Sequence, residues 1–218
     1  DIRALGAVTQ GLNNSKGIGN VALAGATSIS DLLQDIRQKL TELSNQGITT
    51  QQRTILSNDL NQLLSQASTF VANSVFNNIN LLTGTTNIDT LSNLNGGNLR
   101  LTAQTNVGNN IRSLATATAA ATTATNAQSV LAQQYANLES TMSIVLGQLG
   151  AEVRALNFQT DFLAAVTDAT EEGLGNIVDA DLARESAQLT ALQVRQQLGV
   201  QVLNIANQAP QTLLGLFQ

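Results

Sequence analysis

Apolar residues recur along two stretches of this chain at steps of four and three. Ile18, Ala22, Gly25, Ile29, Leu32, Ile36, Leu40 and Leu43 make the first row. Leu131, Tyr135, Leu138, Met142, Val145, Leu149, Val153 and Leu156 make the second. Both rows follow a heptad alternation interrupted by one extra four-residue step, the spacing of helices in coiled-coil-like contact that unwind locally at the interruption. After a break at Asn45-Gln46-Gly47, Thr49 stands three residues before Gln52, a capping-box start. Leu56, Leu60, Leu63, Ala67 and Phe70 then share one helical face. The spacing predicts a helical hairpin over 8–44 and 50–72.

The pattern changes between 76 and 110. Asn, Gly and Thr become dense, Leu99, Leu101 and Ala103 alternate with polar residues, and Asn95-Gly96-Gly97-Asn98 offers turn chemistry. This is the one β signal, and it predicts a short hairpin. The Ala/Thr tract 115–127 leads directly into the second heptad row, and Ala is the strongest helix former. One helix is therefore expected over 108–172, roughly 100 Å long at 1.5 Å per residue. Gly173-Leu174-Gly175-Asn176 is expected to end it. Asp179 and Asp181 suit the N-terminus of a last helix, in which Pro210 marks the final kink or end.

That last helix is the sharpest feature. From Gln196 to Phe217 it holds no charged residue and is apolar on almost every side. A lone surface helix has one apolar stripe. A helix apolar all round must be covered, and a slender chain has little to cover it with, so another chain or another copy is the expected partner. Leu198, Val202, Leu203, Ile205, Leu213, Leu214 and Leu216 are the residues expected to be buried by assembly. Ile29, Leu32, Ile36, Leu138, Met142, Val145 and Leu149 are expected to form the core of the preceding bundle.

Composition narrows the function. Among 218 residues aromatics are 3%, Pro occurs once, and Trp, His and Cys are absent, which suits long helices packed side by side. Without His or Cys the commonest metal ligands and nucleophile–base pairs are missing, and no disulfide framework can form. The net charge of −5 is spread thinly, and the ten basic residues make no stripe with interleaved aromatics, so nucleic acid is not an expected partner. Asn and Gln interrupt the tail before any apolar run reaches membrane-spanning length, so membrane insertion is not expected. The sequence begins at Asp1 without a secretory leader, which reads as a truncated or processed start.

The ordered set of local sequences resembles the bacterial flagellins. Ile2-Arg3-Ala4-Leu5, Gly17-Ile18 and Val21-Ala22 are similar to the family's first conserved helix, and Phe76-Asn77 to its hairpin-closing turn. Asn176 to Ser186 and Leu192 to Gly199 look like alphaproteobacterial members, and Ala206-Asn207-Gln208, Pro210-Gln211, Leu214 and Leu216 like the family's C-terminal signature. The resemblance implies a mainly α fold: an elongated antiparallel helical rod or coiled-coil bundle with a small β-hairpin region and a C-terminal assembly helix. The implied division is 1–78 for the N-terminal half of the rod and 79–107 for a short variable region. Residues 108–175 form the C-terminal half of the rod, and 176–218 the helix of the filament core. It also implies that the C-terminal helix pairs with an N-terminal helix preceding the sequence read here. An innate-immune receptor segment of the family falls at Gln34–Leu40, where Arg37 matches and Gln38 and Lys39 depart.

The implied function is a structural subunit of the extracellular flagellar filament, exported by the flagellar secretion apparatus. The implied partners are other flagellin subunits, an export chaperone, the filament cap protein and the hook–filament junction protein. No cofactor is expected. A hook–filament junction protein and a surface-displayed glycan-binding homologue are the alternatives; the long tail match favours a filament subunit, and the lack of Trp disfavours glycan binding.

Other constellations read as structure. Gly17-Ile18-Gly19 and Gly173-Leu174-Gly175 lack the setting and the Lys of a phosphate loop, and read as packing or turn residues. Asp168, Glu171, Glu172, Asp179 and Asp181 lack EF-hand spacing and read as solvated helix-end carboxylates, so no metal site is expected. Glu152 and Asp161 would be the carboxylates of any glycosidase-like pair, but no aromatic sugar platform accompanies them. No catalytic residue is assigned.

Overall fold

The computed structural model describes residues 2–214, with side chains through residue 205. In chain order the elements are α1 (Ile2–Leu43), α2 (Thr50–Asn73), β1 (Ile88–Leu91), β2 (Asn98–Leu101), α3 (Asn106–Ala119), α4 (Ala124–Val130), a π-helical turn (Leu131–Tyr135) and α5 (Ala136–Leu214). The fold is mainly α with one small two-stranded antiparallel sheet. The chain forms one compact unit over Asp1–Ala165 and a second from Val166 onward. Helix α5 is unbroken from Ala136 to Leu214.

In the first unit α1 and α2 form the hairpin that the apolar spacing predicts. Thr49 Oγ1 accepts the Gln52 N–H at 3.2 Å, and Gln52 Oε1 accepts the Thr49 N–H at 2.9 Å, a complete capping box. Arg53 closes the loop by donating to the carbonyls of Leu43 and Asn45, the oxygens that the end of α1 leaves unpaired. The α4–α5 segment runs antiparallel to α1. Gln128 donates to the Ser44 carbonyl at one end, Tyr135 reaches the Leu33 carbonyl, and Val153 lies against Gly19 further along.

The buried seam of α1 differs from the expected row. Leu5, Val8, Leu12, Ser15, Gly19, Ala22, Ala26, Ile29, Leu33, Ile36, Leu40 and Leu43 are buried, alternating steps of three and four without interruption, and Ile18 of the expected row is buried beside them. The extra four-residue step disappears because Ala26 and Leu33, rather than Gly25 and Leu32, occupy the seam, and Leu32 is only half-buried. Small residues fill the middle of the seam because neighbours approach closely there. A Cβ on Gly17 would lie 2.8 Å from the Phe76 ring, and one on Gly19 2.8 Å from Val153 Cγ2. These glycines cost helix stability and return it as close packing.

The second row keeps its extra step between Leu149 and Val153, and Tyr135, Leu138, Met142, Val145, Leu149, Val153 and Leu156 are all buried. Ahead of it, a step of five residues leads from buried Val130 to buried Tyr135. The π turn accommodates that additional residue by its i→i+5 bonding, and Leu131 is left half-buried.

The expected single helix over 108–172 is divided at its start. Helix α3 stops at Ala119, and after Ala120–Thr122 the Thr123 side chain caps α4 by accepting the Asn126 N–H. The threonines of the Ala/Thr tract supplied the cap that favours a new start over continuation. The expected stop at Gly173–Asn176 does not occur. Gly173 and Gly175 sit within α5 with nothing near a would-be Cβ, the modest cost of a glycine in a helix being outweighed by its good helix-forming flanks. Nor does Pro210 end α5, which continues to Leu214.

Between α2 and α3, Phe76 and Ile79 exchange two backbone hydrogen bonds around Asn77 and Asn78, both at positive φ, in a tight turn suited to asparagine. Strands β1 and β2 pair Ile88 with Leu101 and Thr90 with Leu99 toward the core, while Asp89 and Arg100 pair on the outer face. The Arg100 guanidinium holds the Asp89 carboxyl below its usual range through a two-point hydrogen-bonded pair. That pair is exposed and adds little stability.

Candidate assembly surfaces

Two kinds of surface were expected from the sequence, a buried bundle core and a tail needing cover. In the core set, Ile29, Ile36, Leu138, Met142, Val145 and Leu149 are buried in the first unit, and Leu32 is half-buried beside the seam residue Leu33. Sequence reasoning missed Leu33 because the adjacent leucines 32 and 33 fit the rhythm equally well locally. Extending the row back to Leu5, Val8 and Leu12 fixes the choice, but Ser15, Gly19 and Ala26 conceal that continuity.

The tail set lies on the second unit. Every described side chain from Asp168 to Ile205 is exposed, including Leu198, Val202, Leu203 and Ile205. Leu213 and Leu214 belong to α5, but their side chains, and the whole of Leu216, lie outside the described residues. At 100° per residue, Leu174, Val178, Leu182, Leu189 and Leu192 share one stripe along α5. From Val194 onward a second line, Val194, Leu198, Val202 and Ile205, runs along the opposite side while Leu203 continues the first. A single partner helix covers one stripe. This segment presents two.

The part of the chain bearing these surfaces, residues 130–217, matches the family model described as "Bacterial flagellin C-terminal helical region". Flagellin FljM of Caulobacter vibrioides is 34% identical over 216 residues, covering 99% of this chain and 78% of that protein. This chain belongs to the flagellin family. Flagellin FljJ of the same organism is 38% identical over 195 residues, covering 88% of this chain and 70% of FljJ. A Brucella melitensis flagellin is 29% identical over 236 residues, covering all of this chain and 80% of its own length. The crystal structure of Bacillus cereus flagellin superposes with a TM-score of 0.60 over 70% of this chain and 88% of that one, at 17% identity. That likeness carries the fold alone.

Flagellins are structural proteins, and the chain is a structural subunit of the flagellar filament, which flagellins form outside the cell with other flagellin subunits. The polar groups of this flagellin's first unit serve its architecture. Glu152, the one half-buried carboxylate weighed for chemistry, accepts the Thr102 N–H at 3.0 Å, the Thr102 hydroxyl at 2.7 Å and Gln148 Nε2 at 3.1 Å. It ties the end of β2 to α5, and Gln159 does the same for the end of β1 by donating to the Ser92 carbonyl. Asp161 is exposed. Asp168, Glu171, Glu172, Asp179 and Asp181 stand on the exposed part of α5, and no group of carboxylates among the described residues could hold a metal ion. No helix among the described residues is long and apolar enough to cross a membrane.

Tyr135 ends the π turn and is 3% exposed. Its hydroxyl lies 3.1 Å from the Leu33 carbonyl oxygen and 3.2 Å from Glu139 Oε1, both acceptors for its single proton. Burial first, and then the Glu139 charge, push its pKa up to about 12. The unfolded tyrosine ionises near 10, so this contribution to stability is complete below pH 10 and is lost as pH rises toward 12. Across that window the wild-type chain should lose on the order of 2 kcal/mol that Tyr135→Phe does not lose. Urea titrations from pH 9 to 12 on both chains check this. Parallel pH profiles would contradict it.

Proposed function

We propose that this chain is built into the flagellar filament by burying both sides of its tail helix between neighbouring subunits. The observation that carries the reading is the run of exposed apolar residues on α5, one stripe through Leu192 and two from Val194 to Ile205. Leu198, Val202, Leu203, Ile205, Leu213, Leu214 and Leu216 form the assembly set. Ile29, Leu32, Ile36, Leu138, Met142, Val145 and Leu149 serve the bundle that holds each subunit's shape, with Leu33 added. Residues 1–78 and 108–175 are the two halves of the rod domain, 79–107 its short variable region, and 176–218 the filament-core helix. Burying each Leu, Ile or Val contributes about 1.5–3 kcal/mol, so a handful of such residues per contact suffices to drive polymerisation.

The same tail makes the monomer prone to premature association. A cytoplasmic export chaperone that covers it before delivery to the flagellar secretion apparatus meets that hazard, and the cap and the hook–filament junction proteins are the partners met at the growing tip and the base. The test is polymerisation of the purified protein followed by sedimentation and electron microscopy. Filaments should form when the N-terminal helix that the resemblance implies is present, and fail to form when that same protein is cut after Gly175, with the helical content of the first unit preserved. Filaments from the shortened chain would remove the tail from the mechanism.

A further inference from the structure

The tip of the β-hairpin holds a reactive pair of groups that the fold does not use. Asn95 is the one asparagine of the chain followed by glycine, and both residues are exposed between β1 and β2. Asn93 holds the turn, its Oδ1 accepting the Asn95 N–H at 2.9 Å and the Gly97 N–H at 2.9 Å. The Gly97 carbonyl closes it by accepting the Ser92 N–H at 2.7 Å. Between these bonds the Gly96 N–H has no partner among the described residues, and neither has the Asn95 carboxamide. Gly96 stands at φ +87°, with nothing within 4 Å of a would-be Cβ, in a conformation that favours glycine.

A backbone nitrogen that has lost its proton can attack the carboxamide carbon of a preceding asparagine and close a five-membered ring. A Cβ on the attacking residue obstructs the approach, and a hydrogen bond from its N–H holds both proton and backbone in place. Gly96 has neither restraint. Other asparagines with a small residue after them are Asn14, Asn73 and Asn126. Ser15, which follows the first, lies inside the hydrogen-bonded ladder of α1. The Ser74 N–H donates to the Phe70 carbonyl, and the Ala127 N–H to the Thr123 carbonyl. The fold therefore restrains the attacking nitrogen at these three positions and leaves it free at Gly96.

We propose that Asn95 is a site of spontaneous deamidation, an ageing reaction that the folded hairpin leaves open. The Gly96 nitrogen bonds to Asn95 Cγ, the Cγ–Nδ2 bond breaks, and Nδ2 leaves as ammonia carrying the proton that Gly96 gave up. Water then opens the cyclic imide, its hydroxyl joining one ring carbonyl and its proton returning to the Gly96 nitrogen. Opening at Cγ gives aspartate. Opening at the main-chain carbonyl gives isoaspartate, in which the backbone runs through Cβ and Cγ. That product adds one carbon to the chain inside the turn, so the two bonds to Asn93 Oδ1 and the Ser92–Gly97 closure cannot all persist. Gln159 of α5 donates to the Ser92 carbonyl at 2.7 Å, so the loosened tip weakens a tie between hairpin and helix. Aspartate keeps the backbone and adds only a charge. The reaction does not depend on the tail mechanism, and in an extracellular filament its product accumulates beyond the reach of cytoplasmic repair.

The test is a time course of the purified protein at mildly alkaline pH, followed by digestion and mass spectrometry. The peptide holding Asn95 should gain about 1 Da and divide into two products, the larger being isoaspartate, which a methyltransferase specific for isoaspartate converts to its methyl ester. Conversion should quicken as pH rises, because the attacking nitrogen must first lose its proton. No change at Asn95 while a free peptide of residues 91–99 converts would show that the fold protects Gly96, and would overturn the proposal. Conversion at Asn14, Asn73 or Asn126 ahead of Asn95 would overturn it too. Hydrogen exchange reads the structural consequence. The Ser92 N–H should exchange at least about tenfold faster in the isoaspartate form than in fresh protein. It should keep the fresh rate in Asn95→Asp and in aged Asn95→Gln. Unchanged Ser92 exchange in the isoaspartate form would remove the loosening of the turn from the proposal.

Discussion

Leu33→Ala should destabilise the first unit by about 3 kcal/mol, and Leu32→Ala by about 1 kcal/mol or less. Leu33 is 4% exposed and lies in the seam between Ile29 and Ile36, where truncation removes buried methyl groups and leaves a cavity in a packed row. Leu32 is half-buried on the flank, where solvent and neighbours refill the space. For a unit of this size 1 kcal/mol corresponds to roughly 2–4 °C in melting temperature, so the two variants should separate by several degrees in one scan. The comparison tests the register of α1 directly. A seam with the extra four-residue step would place Leu32 inside and reverse the order. Equal losses would mean that α1 lacks a single register.

The same pair of residues shows what the sequence could and could not disclose. The hairpin of α1 and α2, its capping box, the small β-hairpin and the inward row of α5 were legible because each rests on local chemistry or on a period sustained over many residues. The register of α1 was not, because its seam is built from Ser15, Gly19, Ala22 and Ala26 where Phe76, Leu101 and Val153 press close. Those contacts come from residues 59 or more positions away, and no local window contains them. The division of the Ala/Thr tract was hidden for a related reason: alanine favours either outcome, and Thr123 decides it by capping. The π turn left only a one-residue irregularity that a four-residue step from Leu131 absorbed on paper. For the tail, composition alone indicated a helix needing cover. The resolution of its apolar residues into one stripe and then two required an unbroken α5, which the glycines at 173 and 175 argued against.

That arrangement makes Val202→Asp the substitution with the greatest expected effect on assembly. Val202 is 64% exposed and lies on the second apolar line of α5, so a carboxylate there costs the isolated subunit almost nothing, within about 0.5 kcal/mol. In a filament that buries both lines, the substitution removes an apolar contact and introduces an unpaired charge, together about 4 kcal/mol or more. A loss of that size is roughly a thousandfold in critical concentration, enough to abolish filaments at any practical concentration. Val202→Ala removes only the apolar part and should raise the critical concentration about tenfold. The measurement is the critical concentration of wild type, Val202→Ala and Val202→Asp by sedimentation, with melting curves on the same samples. The graded order with superimposable melting curves locates the burial in the contact between subunits. Wild-type assembly by Val202→Asp would mean that the filament leaves this side of the tail in water, and one stripe alone would then carry the contact.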